Sequence, residues 1–118
     1  MSRIQIDERR TGDVTVLRLT GRLVLEDGDA PMRERIDALV QEGRVDIVLN
    51  LQNVNYIDSC GVGSVVAKFL SVRRRGGDLK LVCLSERCRH VLEITGLIPI
   101  LAPLDSEDEA LRKFAVGT

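Results

Sequence analysis

Residues 55–64 read N-Y-I-D-S-C-G-V-G-S. Two nucleophiles, Ser59 and Cys60, stand side by side, with a carboxylate before them at Asp58 and glycines after them at Gly61 and Gly63. A catalytic elbow, a phosphate cradle, a helix cap and a site modified by another protein all use such a string. The elbow needs G-x-S-x-G, and Ile57 stands where its first glycine belongs. Any Ser–His or Cys–His pair would depend on His90, the sole histidine, which reads instead as an exposed helical residue. A thiol at a helix N-terminus gains acidity. Cys60 therefore keeps a thiol-dependent enzyme as the alternative, although no cysteine nearby in sequence would resolve a disulfide. A dinucleotide fingerprint would need a third glycine at Val66, and no G-x-x-x-x-G-K-S/T occurs, so a small nucleotide-binding enzyme is the same alternative in another form. Cys88-Arg89-His90 lacks the partners of a four-ligand zinc site. No cofactor and no metal are expected. As a cap, Asp58 or Ser59 is worth roughly 0.5–2 kcal/mol over alanine.

The elements that hold this string read as an alternation. Ile4 and Ile6 begin one strand and Val14 to Leu19 another, with Thr11-Gly12-Asp13 as the turn. Met32, Ile36, Leu39 and Val40 recur at helical spacing, with Pro31 in the first turn and Gly43 as the stop. Val45 to Leu51 is apolar on both sides, as a central strand should be. A helix is predicted from about Gly61 to Arg75, with Val62, Val65, Val66, Phe69 and Val72 facing inward. Leu79 to Leu84 is the next strand, and Ser85 caps a helix that Gly96 ends. Ile98 to Leu101, containing Pro99, reads as a short edge strand. Ser106 and Glu109 have capping-box spacing ahead of a last helix. The expectation is one α/β domain over 1–118, a mixed sheet of about five strands with about four helices packed on it.

Composition removes several function classes. With 17 Lys plus Arg against 18 Asp plus Glu in 118 residues, the chain lacks the basic footprint of a nucleic-acid binder. Arg73-Arg74-Arg75 falls at a helix end, where cations suit the dipole. Apolar stretches are strand-sized, so no membrane span is expected, and M-S-R-I-Q-I-D-E-R-R has no signal-peptide core. Three cysteines without a C-x-x-C pair suit reduced thiols, which places the protein in the cytoplasm.

The order V-D-I-V-L-N-L, then Y-I-D-S-C-G-V-G, closely resembles the STAS family, and within it the bacterial anti-sigma factor antagonists. The likeness includes L-T-G-R-L, G-G-D-L-K-L and L-E-I-T-G-L, so it covers nearly the whole chain. It implies a regulatory binding module and no enzyme. Its partners would be an anti-sigma factor with serine kinase activity, which phosphorylates the serine after the aspartate, and a serine phosphatase that restores it. The unphosphorylated form would sequester the anti-sigma factor and free a sigma factor. By position the phosphoacceptor is Ser59, and the partner surface would comprise Asp58, Ser59, Cys60, Gly61, Val62 and Gly63. Cys60 stands where the family often has serine or alanine. The early loop also departs from the pattern: after Gly21 the acids come only at Glu26, Asp27 and Asp29. Loops leaving parallel strands at one end share a surface, which adds Glu26 and Asp27 to the expected interface. The likeness also fits a subunit of a stress-signalling or lipid-transport assembly.

Overall fold

Alternation of apolar side chains sets the two faces of the sheet. The computed structural model describes residues 3–115. In it β1 (Gln5–Thr11) and β2 (Val14–Leu23) form an antiparallel hairpin. Parallel strands β3 (Asp46–Ile57) and β4 (Asp78–Val82) complete the order β1-β2-β3-β4. Leu17, Leu19, Ile47 and Leu49 point to one face, and Val14, Val16 and Val48 to the other. Ile47, Val48 and Leu49 are all fully buried, as the two-sided apolar run requires.

The parallel connections are α1 (Asp29–Gln41) and α2 (Ser59–Arg74), which lie on the Leu17–Leu49 face. On that face α3 (Glu86–Ile94) adds Cys88 and Leu92. The opposite face is covered by α5 (Glu107–Ala115), through Ala110 and its neighbours Leu111 and Phe114. Val62, Val65, Phe69 and Val72 form the inner stripe of α2, each contributing roughly 1.5–3 kcal/mol on burial. Val66, expected on that stripe, is only half-buried, while Ser64, not expected to face inward, is buried.

The mixed α/β sheet has four strands, and the segment read as a further edge strand is different. Ile98–Leu101 forms a short helix, α4, with Pro99 in its first turn. Proline has its φ preset for that position, and four apolar residues carry too short a pattern to tell strand from helix. The place beside β4 goes to Leu104, which makes a single parallel bridge with Val82. Ser85 caps α3 by accepting from the Cys88 N–H at 3.2 Å. Ser106 accepts from the Glu109 N–H at 3.1 Å, while the Glu109 carboxylate accepts from the Asp105 N–H, one residue before the usual reciprocal partner.

What positions the site is the length of β3. Its pairing with β4 ends at Asn50, yet the strand continues to Ile57 beside β2. On this projecting end the Val54 carbonyl accepts from Ser85 Oγ at 2.7 Å. The chain then turns at Asp58 straight into α2.

Candidate functional site

Asp58 is the N-cap of α2, with extended backbone angles (φ −106°, ψ −178°). Its Oδ1 accepts from the Gly61 N–H at 2.8 Å, a bond that satisfies one of the free amides of the first turn. Its Oδ2 accepts from the Leu25 N–H at 3.1 Å, on the loop between β2 and α1. One half-buried carboxylate therefore joins the β2–α1 loop to the start of α2. The helix starts at Ser59, two residues earlier than the pattern suggested. Because Asp58 is the cap, the Ser59 hydroxyl is released from that duty. Ser59 is exposed, and among the described residues its hydroxyl makes no hydrogen bond.

The glycines of the motif have different physical roles. A Cβ at Gly61 would run into the Leu23 carbonyl oxygen, so α2 can approach β2 this closely only with hydrogen there. At Gly63 a Cβ would meet nothing within 4 Å, and the residue is exposed within a regular helix. The fold alone gives no reason for glycine at this position. Val62 and Gly61 are buried, so they face the core, whereas Ser59 and Gly63 lie on the surface and Cys60 is half-buried.

The loop carrying Glu26 and Asp27 lies beside this turn, as the shared end of the parallel strands implied. It is a tight turn in which the Asp27 N–H donates to the Leu25 carbonyl at 2.8 Å. Glu26 sits at its tip with φ 71°, a conformation that strains any residue with a Cβ. Asp27 is held in turn by the Ile4 N–H, which donates to its carbonyl at 2.8 Å. Three residues absent from the sequence-based interface, Leu25, Asp29 and Ser64, complete the arrangement. Asp29, only 4% exposed, accepts from the Glu26 N–H at 2.7 Å and from Ser64 Oγ at 3.2 Å. The Arg33 guanidinium stands 3.8 Å from the same carboxylate. Leu25 is 57% exposed between buried Val24 and the turn.

Beyond Ser59 lies an aromatic group. Tyr56 on β3 is flanked by the guanidinium carbons of Arg87, 4.7 Å from its ring centre, and Arg22, 5.4 Å away. His90 is exposed on α3. Burial pushes the thiols of Cys83 and Cys88 upward, which keeps them protonated. Among the described residues no cluster of three or more His, Cys, Asp or Glu could hold a metal ion. None of the described helices is long and apolar enough to cross a membrane.

Residues 5–110 match the STAS domain, and the chain belongs to that family. Its relatives narrow the comparison. An anti-sigma F factor antagonist from Paenibacillus polymyxa is 27% identical over 114 residues, covering 96% of this chain and 97% of that protein. The anti-sigma-B factor antagonist of Bacillus subtilis (strain 168) is 41% identical over 70 residues, or 59% of this chain and 63% of that one. The structure of the Bacillus cell fate determinant SpoIIAA in its phosphorylated form superposes with a TM-score of 0.72 at 26% identity, covering 94% and 98% of the two chains.

Proposed function

We propose that this protein is an anti-sigma factor antagonist, a non-enzymatic switch. Its unphosphorylated form sequesters an anti-sigma factor with serine kinase activity and so frees a sigma factor. The observation that carries the reading is the division of labour at the end of β3: Asp58 caps the helix, and Ser59 is left exposed with an unused hydroxyl. Phosphorylation there adds about −1.5 to −2 charges and three acceptor oxygens. The free amides of the first turn of α2 stabilise that charge, so the fold survives it. A partner surface shaped for a small neutral hydroxyl does not, since it would have to desolvate a dianion. A loss of a few kcal/mol lowers affinity about a hundredfold or more. A serine phosphatase resets the switch, and the exchange runs in the cytoplasm. SpoIIAA, a relative with a phosphorylated form, supports the same chemistry here.

The test is direct. Incubation with the cognate anti-sigma kinase and ATP should add one phosphate, on Ser59. Of the other serines on α2, Ser64 is buried and Ser71 half-buried. Ser59→Ala should abolish phosphorylation and still bind the kinase, with no loss of helix cap. Ser59→Asp should bind weakly. Tight binding by Ser59→Asp, or phosphate mapped to Ser64 or Ser71, would overturn the assignment.

A further inference from the structure

The turn at Leu25–Asp27 is held in a way that exceeds what a connection needs. Its central residue, Glu26, occupies a positive φ without being glycine, a conformation that persists only where the surroundings over-determine it. Two carboxylates do so in parallel. Asp58 takes the Leu25 N–H and ties it to the Gly61 N–H of α2. Asp29 takes the next amide, that of Glu26, and ties it to Ser64 Oγ, one turn further along the same helix. Consecutive backbone amides of one loop are thus bound to consecutive turns of the helix that begins with Ser59. Asp29 and Ser64 are buried, at 4% and 7% exposed, so neither can touch a partner protein. Held this way, the loop presents Leu25 and Glu26 outward, fixed relative to Ser59 by a single intervening carboxylate.

A lone exposed leucine is ordinary on a protein surface. A leucine on a strained turn, locked to the proposed phosphoacceptor helix at two points, is preorganised, and preorganisation lowers the entropy cost of binding. We infer that Leu25 is a specificity-determining contact for the anti-sigma kinase, and that Asp29 and Ser64 are positioning residues that hold it there. The inference rests on the function proposed above. The partner it fits has an apolar recess for one leucine side chain, bordered by a cation for the Glu26 carboxylate. Leu25 reaches its partner without touching the reacting hydroxyl, so it should govern binding of the kinase and leave phosphoryl transfer alone.

The experiment measures kinase binding, the kinetics of Ser59 phosphorylation and backbone amide exchange in four variants of the full chain. Leu25→Ala, an exposed change that leaves the fold intact, should weaken binding by about thirtyfold, the size of a hot-spot residue. It should raise KM for phosphorylation and keep kcat. Ser64→Ala and Asp29→Ala should speed exchange of the Glu26 amide and weaken binding by about tenfold with every surface side chain unchanged. Asp29→Asn, which keeps an acceptor for that amide, should restore slow exchange and most of the affinity. If the wild type binds no anti-sigma kinase, the functional reading falls and this inference with it. If the wild type binds and Leu25→Ala binds equally well, the function stands and Leu25 is excluded. Unchanged Glu26 exchange in both Ser64→Ala and Asp29→Ala would overturn the positioning roles, whatever the affinities.

Discussion

Two carboxylate sites in this molecule use the same bonds to opposite ends. On the α5 side of the sheet, a polar cleft of about 400 Å³ holds Glu107. Its two oxygens accept from Arg18 Nε and Nη2, both at 2.8 Å, and one of them also accepts from Asn50 Nδ2 at 2.6 Å. Every donor there is a side chain, from β2 and β3, and the group closes on itself. At the end of β3, Asp58 and Asp29 accept mainly from backbone amides, and what they hold is a loop and a helix start. The first arrangement sews the α5 layer to the sheet. The second leaves a hydroxyl, a leucine and a bare glycine on display. The contrast shows that polar bonds alone do not mark a functional site. On the function proposed above, what sets the second site apart is which groups those bonds leave unused.

The comparison can be broken in four ways, beginning with the strongest. Gly61→Ala forces a Cβ against the Leu23 carbonyl and should cost about 3 kcal/mol or more, in the range of strained and overpacked sites. Denaturant unfolding checks it, and loss of binding should follow only from loss of fold. Asp58→Ala removes the cap and the tether to Leu25 together. A cost of about 1–2 kcal/mol is expected, with faster exchange at the Leu25 amide.

Gly63→Ala should go the other way. With open space around it, alanine should stabilise the helix by roughly 0.5–1 kcal/mol and yet weaken kinase binding if this surface meets the partner closely. A higher melting temperature with unchanged affinity would remove Gly63 from the interface. The smallest effect belongs to Glu107. Its hydrogen bonds from Arg18, aided by Asn50, hold its carboxyl below the ordinary carboxylate range despite partial burial. A lowered folded-state pKa means that its stabilisation is complete above the unfolded value, about 4.3, and is lost as pH falls through the folded one. Acid titration of stability should therefore be steeper in the wild type than in Glu107→Gln, while binding at neutral pH stays the same in both.

Much of this was legible in sequence where the cause was local. The caps at Ser85 and Ser106, the two-sided strand around Val48 and the turn at Ser59 all follow from neighbours a few residues away, whereas the choice of Asp58 over Ser59 as the cap of α2 came only with the fold. The D-S-x-G-x-G string also carried a family likeness. Ile98–Leu101 was misread because four apolar residues with a proline satisfy either element, and the choice fell to Leu104, which took the place beside β4. Leu25, Asp29 and Ser64 were missed for a different reason. A positive-φ turn without glycine leaves no trace in composition, and Asp29 reads as one more loop acid until α2 is folded against it.

That dependence on α2 ties the proposed recognition surface to the history of the chain. The Leu25 amide meets a carboxylate 33 residues further on, and Asp29 meets a hydroxyl 35 residues away. Contacts of such separation come after loop closure has been overcome, and they lag behind local helices and hairpins. During synthesis the loop leaves the ribosome well before Ser59 and Ser64 do. A nascent or half-folded chain thus has the leucine but not its fixed placement, and would give the proposed kinase partner nothing rigid to grip. On the function proposed above, the surface would double as a certificate of maturity, complete only in molecules that have finished folding.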